Sequence, residues 1–249
     1  MSRTVPRRLG TFVAALLLVA SGFPATVPPV AALSATVVVS QVYGGGGNTG
    51  APYRNDYVEL FNRGTTTASL GGWSVQYASA TGTGNFSANP IAVLSGSLAP
   101  GQYYLVQLGS GGANGALLPT PDATGTISMS ATAGKVALVN TTTGLACNGG
   151  STPCTPAQLA TIVDLIGWGT ANFFEGAVGP TTSNTTAALR NSGGCAETDS
   201  NAADFTAGAP NPRNTASPLS PCSTPPTVDR KSTRLNSSHS RVSRMPSSA

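Results

Sequence analysis

Tyr57-Val58-Glu59-Leu60-Phe61 runs straight into Asn62-Arg63-Gly64. A period of two places Val58 and Leu60 on one face of an extended segment and Tyr57, Glu59 and Phe61 on the other, and the triplet that follows is a turn signal. The pattern continues in both directions. Residues 36–43 are dominated by β-branched side chains and stop at four consecutive glycines; Trp73, Val75 and Tyr77 share a face; Pro100 and Gly101 occupy the positions a type II turn requires and feed 102–107. Segments 135–140, 161–168 and 187–190 complete the series, with less regular candidates at 91–94 and 126–129. Seven to nine short strands without an amphipathic helix predict an all-β fold, an antiparallel β-sandwich or barrel whose alternating apolar positions meet in one core. The segment after Arg190 is poor in apolar residues and is expected to be a wrapped coil.

The two ends of the chain differ in character from its middle. Arg3, Arg7 and Arg8 precede an apolar run from Thr11 to Ala20 that is too short to span a bilayer, and small residues follow at 30–35. That is the pattern of a signal peptide over residues 1–35, and it predicts a secreted or cell-surface protein with no membrane span after processing. The Arg7-Arg8 pair leaves twin-arginine export open beside the general route, although the surrounding residues fit it poorly. At the other end, residues 229–239 back-translate codon by codon into a short-read sequencing adapter, and 243–249 continue it after an index-sized gap. The stretch 229–249 is therefore expected to be foreign to the natural gene and disordered, in preference to a basic tail that touches nucleic acid. Pro218, Pro221, Pro225 and Pro226 suggest that an interdomain linker begins around 223–228. Residues 36–222 remain as one domain, long enough to bury a core.

This division reverses the charge. The whole chain carries a formal +4. Within 36–222 five cations (Arg54, Arg63, Lys135, Arg190, Arg213) face eight carboxylates, a net of −3. Such a balance offers no basic stripe for nucleic acid. The single histidine, His239, lies in the suspect tail, so a Ser-His-Asp triad has no base. Four cysteines in an exported chain read as two bridges; of the three pairings, proximity favours Cys147 with Cys154 and Cys195 with Cys222. A zinc site lacks both a C-x-x-C pair and a histidine in the mature region.

Val39-Ser40-Gln41-Val42-Tyr43, 56–62, Leu70-Gly71-Gly72-Trp73-Ser74-Val75 and 98–104 follow one another in an order and spacing that resemble the lamin tail domain, and Asp204-Phe205 with 209–214 resembles the close of its bacterial versions. The resemblance implies an immunoglobulin-like antiparallel β-sandwich. It also implies a non-catalytic accessory module, since similar bacterial domains often lie N-terminal to secreted endonuclease/exonuclease/phosphatase-type nucleases or other extracellular enzymes. The expected partner is thus a C-terminal catalytic domain, with a protein or glycan surface as the alternative for a free-standing adhesion domain. The insertion carrying Cys147 and Cys154 departs from minimal members.

Within the chain, candidate chemistry is sparse. Gly44 to Gly50 presents backbone amides that could cradle an anion, but lacks the Gly-Lys-Ser/Thr of a phosphate loop and is read as a strand connection. Glu197, Asp199, Asn201 and Asp204 offer oxygen ligands suited to calcium; the favoured alternative is a set of Asx turns beside Arg190 or Arg213. No other cofactor is expected. Glu59 and Asp164 lie inside strands and call for cationic partners, with Arg54, Arg63, Lys135 and Arg190 at hand. Trp73 and Trp168 read as core in preference to sugar-stacking platforms.

Overall fold

The computed structural model describes residues 36–222, so the signal segment 1–35, the linker start 223–228 and the tail 229–249 lie outside the described residues. Twelve strands form: β1 (Val37–Tyr43), β2 (Tyr57–Asn62), β3 (Ala68–Ser69), β4 (Ser74–Ser79), β5 (Ala92–Val93), β6 (Ser97–Leu98), β7 (Tyr103–Gln107), β8 (Ala123–Thr124), β9 (Gly134–Val139), β10 (Ile162–Trp168), β11 (Ala187–Arg190) and β12 (Phe205–Gly208). The larger sheet has the order β12-β11-β1-β2-β7-β8, the smaller β10-β9-β4-β5, and β3 and β6 pair separately. All pairings are antiparallel except β7 with β8. The two main sheets stack as a β-sandwich. Among the described residues helical structure is confined to short turns, among them α1 (Pro156–Leu159), with a Thr155/Gln158 capping box, and α2 (Asn201–Asp204).

The alternation read from 57–61 sorts as expected: Val58 and Leu60 enter the space between the sheets with Val37, Val39, Val42, Val75, Val136, Leu138, Ile166 and Trp168. Gly134 opens β9 because a Cβ there would lie 2.5 Å from Trp168 Cη2. In β1 the inward positions run Val37, Val39, then Val42, since a bulge at Ser40 shifts the register against β2. A second register shift, between Ile162 and Asp164, turns the Asp164 carboxylate toward β1.

The expectation of one core is incomplete. The central strands are buried on both sides. Outside the larger sheet, Val38, Phe61 and Tyr103 pack against Cys195 and Cys222, while Tyr43, Tyr57, Leu105 and Ala187 form a further cluster. Outside the smaller sheet, Ala137, Val139, Phe86, Leu145, Leu165 and Phe173 gather around Cys147. Both expected bridges, Cys147–Cys154 and Cys195–Cys222, are formed. Each staples a loop over the outer face of one sheet, which is how a chain with short strands covers apolar side chains that a two-layer sandwich would leave wet.

Two expectations need correction. The segment after Arg190 is not only coil: Phe205–Gly208 supplies the edge strand β12, paired with β11. Its composition concealed this because two of its four residues, Thr206 and Ala207, are exposed at the edge. Residues 126–129 form no strand; the Met129 amide donates instead to Asp56 Oδ2 at 2.8 Å.

The rest of the C-terminal segment is a strap across the larger sheet. Asn211 N donates to Gln41 Oε1, Gln102 Nε2 donates to Thr215 O, the Thr215 hydroxyl donates to Asp122, and Ser220 N donates to Gly101 O. Gly101 sits at φ +73 as the turn requires, and a Cβ there would strike Pro221 N at 2.5 Å.

The bridges constrain loops of unequal length, with separations of 27 and 7 residues. On the chain-entropy account, the Cys195→Ser/Cys222→Ser double variant is expected to lose about 3–4 kcal/mol and Cys147→Ser/Cys154→Ser about 2–3 kcal/mol. Urea denaturation midpoints at a common m-value measure both; a larger loss from the shorter loop would contradict this account.

Candidate functional site

The densest group of charges lies where β10, β11 and the loops after them meet. Arg190, at the end of β11, has a buried side chain and reaches three carboxylates: Nη2 to Asp164 Oδ2 at 2.8 Å, Nη1 to Glu197 Oε2 at 2.7 Å, and Nη1 to Asp204 Oδ2 at 3.7 Å. Its Nε donates to Val39 O at 2.8 Å, and the Phe205 ring lies 4.5 Å from Cζ. Asp164 Oδ2 accepts the Val39 amide at 2.5 Å. Side chains from β10 and β11 thus take both backbone polar groups of Val39, a position where β1 has no strand partner on that side: β11 meets β1 only at Gln41 and Val42.

Glu175 completes the group. Its Oε1 accepts the Leu165 amide at 3.2 Å and its Oε2 accepts Asn201 Nδ2 at 3.3 Å. Burial, followed by the fields of Asp164 and Glu197, pushes its carboxyl up to about 9, so it holds its proton at neutral pH. Burial works against the charge on Arg190, but the summed fields of Asp164, Glu197, Glu175 and Asp204 outweigh it and hold the guanidinium above its usual value. Asp164, Glu175 and Glu197 each bring a carboxylate oxygen within 4.8 Å of the others, a donor set of the kind that suits a hard cation. In this arrangement the guanidinium stands among them as the positive charge.

The four residues read from the sequence as calcium ligands do not converge. Glu197 and Asp204 meet at Arg190. Asn201 touches the group only through Glu175 and otherwise serves the open edge of β10, accepting Gly167 N at 2.9 Å and donating to Leu165 O at 2.9 Å. Asp199 adopts φ +57 and donates its amide to Glu197 Oε1. Asp204 accepts from Thr198 N and Thr198 Oγ1, a contact spanning six residues in place of an Asx turn. Sequence reasoning missed Glu175. Its signal, a lone acid among Phe173, Phe174 and Ala177, was present but belonged to no strand pattern.

The partners of the two strand carboxylates also differ in part from expectation. Asp164 takes Arg190, but Glu59 takes Arg213 from the strap: Nη2 to Oε1 at 2.7 Å, with the Arg213 amide on Oε2 at 2.7 Å and Ser40 Oγ on Oε1 at 2.6 Å. The Arg213 guanidinium lies 3.6 Å from the centre of the Tyr103 ring. Among the described residues Lys135 pairs with no carboxylate; its Nζ donates to Asn148 O at 2.8 Å and Asn172 Oδ1 at 2.9 Å, and burial lowers it to about 8. The glycine run closes on the fold itself: Gly46 N donates to Asp56 Oδ1 at 2.9 Å, and burial raises that carboxyl to about 6. Trp168 is core, and Trp73 packs against it half-buried.

The family model of the Lamin Tail Domain matches residues 31–196. The chain belongs to the lamin tail domain family. Lamin tail domains are non-catalytic binding and interaction modules, and the match ends before β12, the strap and Cys222. No curated protein matches this lamin tail domain protein. Among solved structures it is similar to a DUF4876 family protein from Bacteroides thetaiotaomicron, with 11% identity, a TM-score of 0.47, and coverage of 75% of this chain and 75% of that one. Two disulfides in such a β-domain fit an extracellular setting. Among the described residues, no helix is long and apolar enough to cross a membrane.

Replacing Arg190 by Leu leaves buried carboxylates without their cation and is expected to destabilise the domain by about 3–5 kcal/mol; Arg190→Lys rescues little, because an ammonium cannot span Val39 O, Asp164 and Glu197 together. Chemical denaturation reads both. Glu175 has a folded-state value raised above the ordinary 4.5, so its contribution is fully present below that pH and is lost as pH rises toward about 9. Relative to Glu175→Gln, the native protein should therefore lose stability across that window by up to about 1.4 kcal/mol per pH unit. Parallel pH–stability curves for the two proteins would disprove it.

Proposed function

We propose that this domain is the accessory, non-catalytic module of an exported bacterial enzyme, an extracellular nuclease of the endonuclease/exonuclease/phosphatase type, which it positions or tethers through its sheet edges and loops. One observation carries the reading: of the acids in 36–222, all except the exposed Asp199 are engaged by partners within the fold. Asp164, Glu197 and Asp204 are held by Arg190, Glu59 by Arg213, Asp56 by backbone amides, and Asp122 by the Leu105 amide and the Thr215 hydroxyl. Metal-assisted phosphodiester hydrolysis needs carboxylates open to a cation and a base within reach of water. The nuclease chemistry is accordingly assigned to a separate domain. The proline-rich composition around Cys222 is that of a tether between domains, and the net negative charge of 36–222 keeps the module itself off nucleic acid.

The test is the genomic reading frame beyond Val228, together with an assay of the purified chain. The frame is expected to continue into a domain rich in acidic and histidine residues, and the purified chain to leave DNA and phosphate esters intact. A frame that stops within a few codons would replace this reading with a free-standing surface module that binds protein or glycan. Hydrolysis that survives purification and tracks with the folded domain would overturn both.

A further inference from the structure

We propose that the cavity between the β2–β3 turn and the Cys195–Cys222 bridge is a binding site for an oxyanion, such as the sulfate or carboxylate of an acidic ligand, with Arg63 as its recognition residue. The cavity measures about 410 Å³ and is lined by Arg63, Ser192 and Ser220 together with the bridge itself. Its described lining includes no carboxylate. The nearest acid in sequence, Glu197, is drawn to Arg190.

Arg63 stands apart from the other enclosed cations of the domain. Arg190 and Arg213 each sit on carboxylates, and Lys135 is held by two neutral oxygens. Arg63 is half-buried, and its one side-chain hydrogen bond runs from Nη2 to the carbonyl of Cys195 at 3.3 Å. Its Nε is buried and has no partner. A buried guanidinium N–H left unpaired is unfavourable, and native folds rarely retain one without a use. Guanidinium geometry matches an oxyanion through two parallel N–H donors; as the side chain stands its Nε–H is closed to solvent, so an anion in this cavity pairs with it once the Arg63 side chain turns toward the opening.

The walls are held in advance of any ligand. Ser220 N donates to Gly101 O at 2.8 Å, Tyr103 Oη donates to Gly193 O at 2.8 Å, and the bridge fixes Cys195 against Cys222. Ser192, one of the lining residues, is kept at φ +54, where glycine would be the default. Walls held by backbone hydrogen bonds and a disulfide need little further ordering at the moment of association.

The experiment uses the full chain, 15N-labelled, and follows the Arg63 Nε–Hε resonance during titration with sodium sulfate, sodium glucuronate, glucose, and sodium chloride at matched ionic strength. Sulfate and glucuronate are expected to shift that resonance saturably, and glucose and chloride are not. A tighter response to glucuronate than to sulfate assigns an acidic saccharide as the source of the oxyanion; equal responses assign the free anion; either upholds the site. Arg63→Gln, monitored on neighbouring backbone amides, should weaken binding by at least about tenfold, and Arg63→Lys, which keeps the charge but loses the fork, should fall between. An Arg63 signal that does not saturate, or that moves equally with chloride, overturns the proposal. So does unchanged binding by a folded Arg63→Gln variant.

Discussion

The structure turns on what becomes of the backbone at Val39. β1 lies inside the larger sheet, yet its ladder to β11 covers only Gln41 and Val42. Buried amide and carbonyl groups must be matched, and here Asp164 takes the amide while Arg190 takes the carbonyl. Asp164 belongs to the smaller sheet and Arg190 to the larger, so the ion pair that finishes a strand also fastens one layer of the sandwich to the other. The two bulges exist in this context. One resets the inward pattern of β1, and the other turns Asp164 to meet it.

Burying that much charge is expensive, and the fold limits the expense in two ways. Arg190 uses most of its donor fork, on Val39, Ala196, Asp164 and Glu197, so little of the guanidinium is left unmatched. Glu175, buried and then crowded by Asp164 and Glu197, keeps its proton and adds no further negative charge at neutral pH. A buried pair of this kind adds less to stability than its Coulomb attraction suggests. Its effect here is on register, because a strand slipped by one residue would present Val38 or Ser40 to Asp164 and break both contacts with Val39.

A second constraint is area. Short strands whose inward residues are mostly Val and Leu fill one interior, but Phe61, Tyr103, Tyr57, Phe86 and Phe173 point away from it. The chain covers them with loops and a strap, and disulfides close the covers over Phe86 and Phe173 and over Phe61 and Tyr103. Arg213 illustrates the economy of the device: it neutralises Glu59, lies over Tyr103 and anchors the strap in a single side chain. Membership of the lamin tail family follows from the strands up to residue 196, whereas the strap that encloses the outer face lies beyond the match. The cavity beside Arg63 is formed only once that strap is in place.

The strands, their inward faces, the type II turn at Gly101 and the pairing of cysteines were legible in the amino-acid order, because a period of two, a Pro-Gly step and sequence proximity are local properties. Glu59 and Asp164 could be recognised locally as carboxylates in need of partners. Which cations they would meet could not, since Arg213 lies 154 residues from Glu59 and Arg190 lies 26 from Asp164 across a sheet boundary. The same holds for β12, whose exposed residues carry no apolar signal, for Glu175, and for the orphaned donor of Arg63. Alternation tells each strand which side is inward. Only the packing of one sheet on another, and of the strap on both, decides which charges are brought together once water has been excluded.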